Sequence, residues 1–342
     1  MKNDKWNISL RARIIKHHEP EWHIAGDVPL FPYSPIPLFP FSPIMNRMTR
    51  NWHIAGDRRL PIGARTLIMG ILNVTPDSFS DGGQFFSLDK AIAHAERMIA
   101  EGTDILDVGG ESTRPGGAAI VSADEEQNRV LPVISQLAKR FRVPISVDTT
   151  KASVARAALD AGAAIVNDIS ALRFEPELAN EVARSGAGLV LMHSRGTPGG
   201  LHGLEPVADI IEEVTSSLRN SIEIAEQRGV KRESIVIDPG IGFGKSQEQN
   251  IELIAKLDQI VAAFPDLPVL IGTSRKSFLG RILADENGEP APPAQRLHAT
   301  MASTTAALLK GAQIIRVHDV KEGLETAEVI DAIRTMRTIG RL

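Results

Sequence analysis

From residue 66 onward, short apolar segments alternate with longer segments whose apolar residues recur at helical spacing. Residues 66–73 are almost continuously apolar, as expected of a strand buried on both faces. The next segment carries one apolar stripe, formed by Leu88, Ala91, Ile92, Ala95, Met98 and Ile99. We predict a helix there with Ser87 as its cap, and a capping box of Ser122 and Glu125 at the start of the following helix.

The same order of strand and helix is repeated along the rest of the chain. Seven further strands are predicted at residues 104–110, 144–148, 163–168, 188–193, 235–239, 268–273 and 313–319. Eight strand–helix units are the number that closes a TIM-type (β/α)8 barrel, so the sequence predicts this α/β fold. A doubly wound parallel sheet is the alternative, but it more often stops at five or six strands.

The first 50 residues have a different pattern. Proline recurs at short intervals, and two segments are repeated: WHIAGD at residues 22–27 and 52–57, and PLFPYSPI or PLFPFSPI at residues 29–36 and 37–44. Because proline removes backbone donors and disfavours helices, residues 1–50 are predicted to be a disordered leader and residues 51–342 the barrel domain. The leader is interpreted as a duplicated stretch with little function, with a docking segment as the alternative. The second WHIAGD copy and residues 60–62 predict a β-hairpin before the barrel.

Composition narrows the class of protein. The net charge is -4 with both signs interspersed, so there is no basic field for nucleic acid. The absence of cysteine excludes disulfides and thiolate zinc sites and fits a cytoplasmic location. The sequence has no apolar run near the roughly 18 residues of a membrane span and no apolar segment typical of a signal peptide.

The stretch IVIDPGIGFGKS, residues 235–246, resembles a phosphate-binding P-loop. That motif requires a glycine five residues before the Gly–Lys pair, so that backbone N–H groups face the phosphates. This position is Pro239, which has no N–H to donate. The sequence therefore excludes a P-loop and leaves Asp238 at the end of a predicted strand.

Polar residues stand at nearly every predicted strand end, where the active sites of such barrels lie. They are Asn73, Asp107, Asp148, Asn167, Asp168, His193, Asp238, Thr273, Arg316 and His318. Asp148 alone is equally well explained as a cap of the helix that begins near Lys151. Two long, glycine-rich loops, residues 73–85 and 109–120, are predicted to cover the barrel mouth as lids. The first lid contains Thr75, Asp77, Ser78 and Phe79.

The charges at these strand ends predict a ligand with two chemically different ends. Five cationic or basic residues would suit a phosphate-rich group: Lys245, Arg275, Lys276, Arg316 and His318. In contrast, Asp148, Asn167 and Asp238 would suit the N–H groups of a nitrogen-rich ring.

Eight motifs in order resemble the dihydropteroate synthase family of pterin-binding enzymes over nearly all of residues 66–342. They are GILNVTPDSFSDGG, GGESTRPG, SVDTTK, VNDI, LMHSRGTP, IDPGIGFGK, GTSRKSFLG and RVHDV. The resemblance implies a transferase of tetrahydrofolate biosynthesis. In its reaction, 4-aminobenzoate displaces diphosphate from (7,8-dihydropterin-6-yl)methyl diphosphate and gives 7,8-dihydropteroate. Ser194 departs from the family pattern, because a bulkier methionine is common after LMH.

The resemblance also implies roles for individual residues. Asp148, Asn167, Asp238 and Lys276, with Met192, match the pterin pocket, and Asn73 matches a Mg²⁺ ligand. The diphosphate contacts are matched by Thr113, Arg316 and His318. The 4-aminobenzoate site is matched by Phe243, Lys276 and Ser277, with Phe79, Arg114 and Pro115 from the two loops. We expect Asp148, Asp238, Lys276, Arg316 and His318 to be the catalytic residues.

Two other functions fit the same barrel. One is methyl transfer from a methylated tetrahydrofolate to a corrinoid protein, and the other is pterin binding without catalysis. The resemblance further implies a cytoplasmic homodimer formed through the last helices, with small-molecule substrates and no nucleic-acid or membrane partner.

Overall fold

The computed structural model describes residues 49–75, 84–112, 121–200 and 204–339. The predicted leader therefore lies almost wholly outside the described residues, and the division of the chain at residue 50 stays a prediction. These ranges contain ten strands: β1 (Arg50–Ile54), β2 (Arg58–Ile62), β3 (Leu67–Asn73), β4 (Ile105–Gly109), β5 (Ile145–Asp148), β6 (Ile165–Asp168), β7 (Gly188–Met192), β8 (Ile235–Asp238), β9 (Leu270–Ile271) and β10 (Ile314–Val317).

Ten α-helices follow or connect these strands in the described part of the chain. They are α1 (Gln84–Ala100), α2 (Ala123–Arg140), α3 (Ala152–Asp160), α4 (Leu178–Ser185), α5 (Ile210–Gln227), α6 (Gln247–Ala255), α7 (Leu257–Ala263), α8 (Ser277–Ile282), α9 (Leu297–Leu309) and α10 (Val320–Ile339). None of these helices combines the length and hydrophobicity needed to cross a membrane.

The strands β3 to β10 form a closed parallel barrel. Their order is β8-β7-β6-β5-β4-β3-β10-β9, and every adjacent pair is parallel. A parallel bridge between Ile237 and Val269 joins the two ends of this order. The (β/α)8 prediction is confirmed, and the open doubly wound sheet is wrong because the ring closes.

The predicted hairpin closes the N-terminal end of the barrel. Trp52 and Ile54 of β1 pack with the apolar residues that fill the barrel interior. Trp52 is 1% exposed, and its Nε1 donates a hydrogen bond to the carbonyl oxygen of Ser234 at 2.8 Å. A Cβ atom at Gly188 would lie 2.9 Å from Ile54 and 3.0 Å from Trp52, so this close approach requires glycine.

The structure corrects one prediction about a helix start and confirms half of another. Helix α1 begins at Gln84, three residues before Ser87, so Ser87 is not its cap. At α2, Ser122 Oγ accepts from the backbone N–H of Glu125, which is the first half of the predicted capping box. A complete capping box occurs instead at α6, between Ser246 and Gln249. The serine of the Gly-Lys-Ser sequence is therefore a helix cap and not a phosphate ligand.

Candidate active site

A cavity of about 450 Å³ opens at the C-terminal ends of the barrel strands. The described residues to which the resemblance or the lid prediction gives a role all line it: Asn73, Thr75, Asp148, Asn167, Met192, Asp238, Phe243, Lys276, Ser277, Arg316 and His318. The other predicted residues, Asp77, Ser78, Phe79, Thr113, Arg114 and Pro115, lie outside the described residues. The parallel barrel thus brings six of the ten polar strand-end residues into one cavity.

One guanidinium joins two carboxylates on the acidic side of the cavity. Arg316 Nη2 donates to Asp148 Oδ2 at 2.7 Å, and Arg316 Nε donates to Asp107 Oδ2 at 2.6 Å. Burial raises the pKa of Asp148 to about 7; Arg316 opposes this and the nearby Asp107 carboxylate adds to it. The N-cap residue of helix α3 is Lys151 and not Asp148, and no side-chain capping hydrogen bond is made by the N-cap residue, so the capping explanation of Asp148 is wrong.

Asp238 lies at the end of β8 and is 4% exposed. Its Oδ1 accepts from the backbone N–H of Gly240 at 2.7 Å, where the chain turns with a φ of 71°. Burial raises the pKa of Asp238 to about 6, against the lowering effects of the Gly240 N–H, Lys276, Lys245 and Arg316. One carboxylate oxygen thus shapes the loop, and Oδ2 is left for a ligand.

An apolar wall faces these polar groups. Ile169, Met192 and Phe243 form a small buried cluster, with Phe174 packed against it. Lys276 Nζ lies 3.9 Å from the centroid of the Phe243 ring. Burial, together with Arg316, lowers the pKa of Lys276 to about 8, which Asp238 and Asp148 oppose. Apolar side chains on one side and acceptors on the other suit a flat heterocycle.

Two residues that the sequence predicted to bind phosphate form other contacts in the structure. Lys245 Nζ donates to the backbone carbonyls of His193, Gly240 and Phe243 at 3.2, 2.8 and 3.0 Å. These bonds engage its three donors and hold the loop after β8, so Lys245 does not bind phosphate. Arg275 forms a two-point ion pair with Asp319.

The loops that follow β9 and β10 are tied together beside the cavity. Ser274 Oγ lies 3.0 Å from His318 Nδ1 and accepts from the backbone N–H of His318 at 3.2 Å. Next to it, Arg275 has a φ of 56°, and its backbone N–H donates to Thr300 Oγ1. Sequence analysis missed Ser274 because it lies one residue beyond the predicted strand end at Thr273.

Four of the polar strand-end residues do not line the cavity. Asp168 accepts from the backbone of Ser170 and Leu172 and shapes the loop after β6. Thr273 bonds Thr304 of α9. His193 is buried, and burial lowers its pKa to about 2, so it is neutral. The fourth, Asp107, is buried beneath the cavity.

Asn73 is the only metal ligand that the sequence predicted. It ends β3 and lines the cavity, and its side-chain amide makes no hydrogen bond to another described residue. Within the described ranges, no group of three or more His, Cys, Asp or Glu side chains is arranged to hold a metal ion. Asn73 offers one amide oxygen, which fits a Mg²⁺ ion that takes most of its other ligands from water and substrate phosphates.

Comparison with known proteins supports a pterin site. The sequence model of a family described as pterin binding enzyme matches residues 69–318. The dihydropteroate synthase of Bacillus subtilis is 46% identical over 269 residues, which cover 79% of this chain and 89% of the relative. That of Escherichia coli K12 is 45% identical over 265 residues, which cover 78% and 90%.

Solved structures show the same similarity. A Clostridium difficile dihydropteroate synthase, determined in the presence of pteroic acid, is 47% identical with a TM-score of 0.73, covering 80% of this chain and 98% of that one. A Xanthomonas albilineans dihydropteroate synthase, determined with 4-aminobenzoic acid, is 40% identical with a TM-score of 0.75, covering 83% and 99%.

Proposed function

The chain belongs to the dihydropteroate synthase family, transferases of folate biosynthesis, and from this premise we propose how its cavity binds and joins two substrates. The substrates are (7,8-dihydropterin-6-yl)methyl diphosphate and 4-aminobenzoate, and the products are 7,8-dihydropteroate and diphosphate. One observation carries the assignment of roles: the carboxylates of Asp148 and Asp238 lie in the same cavity as Arg316, Lys276 and His318.

The pterin ring binds at the acidic side of the cavity. Asp148 Oδ1 and Asp238 Oδ2 make no hydrogen bond to described residues, so both accept N–H donors from the ring edge. Asn167 contributes a third polar contact, and Met192 packs against the ring face. Positive charge that develops at the pterin methylene is stabilised by the same two carboxylates.

The diphosphate lies toward the cationic side. Arg316 keeps Nη1 for a phosphate oxygen, since Nε and Nη2 bond Asp107 and Asp148. His318 is held beside it by Ser274, and Thr113 adds a contact that the resemblance implies. Asn73 would hold Mg²⁺ here, and the bound ion would help to neutralise charge on the departing diphosphate.

The second substrate binds against Phe243, Lys276 and Ser277. Its amine is neutral at pH 7 and needs no strong general base. The amine nitrogen forms a bond to the pterin methylene carbon, the carbon–oxygen bond to diphosphate breaks, and the nitrogen loses one proton to solvent. Thr75, Asp77, Ser78 and Phe79, with Arg114 and Pro115, close over the site and exclude water.

A direct assay tests this function. With both substrates and Mg²⁺, the purified chain should release 7,8-dihydropteroate and diphosphate in equal amounts, and chelation of Mg²⁺ should abolish most of the rate. Methyl transfer from methyltetrahydrofolate to a corrinoid protein would favour the first alternative function. Pterin binding without either product would favour the second. The homodimer and the cytoplasmic location stay predictions.

Pterin affinity should rise with pH through about 6, where Asp238 ionises, and further through about 7, where Asp148 ionises. Burial raises the pKa of Asp238 to about 6, and only its ionised form accepts two N–H donors. Below this pH the protonated group loses acceptor capacity, so affinity should fall up to about tenfold per pH unit. Calorimetric titration with free pterin between pH 5 and 8 measures this.

The Asp238→Asn variant is the control for the pH profile, because it has no carboxyl to titrate at that position. Its remaining pH dependence should centre on Asp148, whose pKa burial raises to about 7. A wild-type affinity that is constant from pH 5 to 8 would contradict the assignment of Asp238 to the pterin.

A further inference from the structure

Asp107 in β4 carries a buried charge that the proposed reaction does not use directly. It is 0% exposed and does not line the cavity. Its Oδ2 accepts from Arg316 Nε at 2.6 Å and from Asn167 Nδ2 at 3.0 Å, and its buried Oδ1 has no hydrogen-bond partner among the described residues. Burying a carboxylate costs free energy unless the group is paired, so the bonds from Arg316 and Asn167 offset the cost of burying Asp107.

The first effect concerns the orientation of Asn167. An ionised carboxylate only accepts hydrogen bonds, so the amide group of Asn167 must turn its Nδ2 toward Asp107. Asn167 Oδ1 then points away from Asp107, and it makes no hydrogen bond to another described residue. Because Asn167 lines the cavity, its Oδ1 offers the ligand an acceptor, while Asp107 occupies one of the two Nδ2 donors.

The second effect concerns the pairing of Arg316. A guanidinium beside one carboxylate commonly forms two parallel bonds and occupies both oxygens. Here Asp107 holds Nε, and Arg316 gives Asp148 a bond to Oδ2 through Nη2. Asp148 Oδ1 is thus left for a ligand, and Arg316 Nη1 remains directed away from both bonds.

We infer that Asp107 is a positioning residue that sets the hydrogen-bonding pattern of the pterin end of the cavity. It makes Asn167 an acceptor and leaves one oxygen of Asp148 unpaired by Arg316, so the site selects a ring edge that presents N–H donors. This inference rests on the proposed function, since it concerns recognition of the pterin.

The isosteric variant Asp107→Asn tests the inference. The new amide oxygen can still accept from both Arg316 and Asn167, as Oδ2 does in the wild type, but it carries no negative charge. Arg316 then has Asp148 as its one directly bonded carboxylate and is expected to occupy both oxygens of that group, which removes the acceptor left for the ring. Affinity for free 6-hydroxymethylpterin should fall at least about tenfold by calorimetry, as expected for a lost charge-assisted bond. The KM for 4-aminobenzoate should not change, because this effect is confined to the pterin end.

A paired variant separates positioning from a structural need for the carboxylate. In Asp107→Asn with Asn167→Asp, the new amide must turn about its Cβ–Cγ bond so that its oxygen accepts from Arg316 and its Nδ2 donates to the new carboxylate at position 167, because a single oxygen accepts both bonds in the wild type. The second oxygen of that carboxylate faces the cavity, so acceptor and net charge are both restored. Affinity should return to within about threefold of the wild type, a coupling that a double-mutant cycle measures.

Asp104→Asn is the matched control, because Asp104 also pairs with an arginine, Arg65, but precedes β4 at the other end of the barrel. Its pterin affinity should equal that of the wild type. The inference is overturned if Asp107→Asn binds pterin within about twofold of the wild type, or if the paired variant binds no better than the single one.

Failure of the variant to fold and failure of the wild type to bind pterin have different meanings. If Asp107→Asn does not fold, the paired variant decides alone, because a structural need for the carboxylate at 107 predicts that it also fails to bind pterin. If the wild-type protein binds no pterin, the proposed function fails and not merely the role of Asp107.

Discussion

Asp238→Asn should weaken binding of the pterin diphosphate by about 100-fold or more. The amide oxygen can keep the bond from the Gly240 N–H, so the loop after β8 is retained and the amide Nδ2 faces the cavity. A donor then meets the N–H donors of the ring, where the wild type has a carboxylate oxygen. Loss of the charge-assisted bond to Oδ2, about 1.5–3 kcal/mol, together with the donor–donor contact that replaces it, gives this loss. Calorimetry with the pterin diphosphate measures it.

Asp209→Asn is the control for this prediction. Asp209 caps α5 by accepting from the backbone N–H groups of Ile211 and Glu212, and asparagine caps helices about as well as aspartate. Its pterin affinity should be unchanged. If Asp238→Asn binds the pterin diphosphate as tightly as the wild type does, the pterin does not contact Asp238.

Trp52→Ala should lower the free energy of unfolding by about 3–5 kcal/mol, the range for a buried aromatic side chain replaced by alanine. Trp52 covers the N-terminal end of the barrel and packs with Ile54, Ile62 and the residues that fill the barrel interior. Its removal exposes that core and also leaves the Ser234 carbonyl without the indole donor. Urea unfolding followed by circular dichroism measures the change.

Two variants separate packing from hydrogen bonding at this position. Trp52→Phe keeps an aromatic ring but loses the bond to Ser234, so it should cost about 1–3 kcal/mol. Val329→Ala on α10 removes an apolar side chain that is 58% exposed and should change stability by less than about 0.5 kcal/mol. A loss below about 1 kcal/mol in Trp52→Ala would mean that the hairpin does not support the barrel.

The strands could be predicted because each is a local apolar segment that ends in a polar residue. The predicted strand at residues 66–73 and the observed β3, Leu67–Asn73, differ by one residue. The predicted strand at residues 268–273 shortens to Leu270–Ile271, because Gly272 and Thr273 already belong to the loop that carries Ser274 and Arg275. Helix starts were less certain, as Ser87 shows, since α1 begins in the glycine-rich loop before it.

The cavity could be predicted because the C-terminal ends of parallel strands meet at one end of a barrel. The partner of each charged side chain could not be predicted from the sequence. Lys245 and Arg275 have the right charge for phosphate, but nearby backbone carbonyls bind the first and Asp319 binds the second. Residue type shows which bonds a side chain can make, whereas its neighbours in space decide which bonds it does make.

The sequence by itself determined the barrel, the hairpin and most of the polar strand ends that line the cavity, because these depend on hydrophobic periodicity and on the position of each residue along its strand. Only the tertiary structure decided how the charges are paired. Arg316 is separated in sequence from Asp107 by 209 positions and from Asp148 by 168 positions, and no local sequence pattern predicts contacts at such separations. Closure of the barrel brings these strands together, and burial makes the pairing obligatory, since an unpaired charge there would cost several kcal/mol.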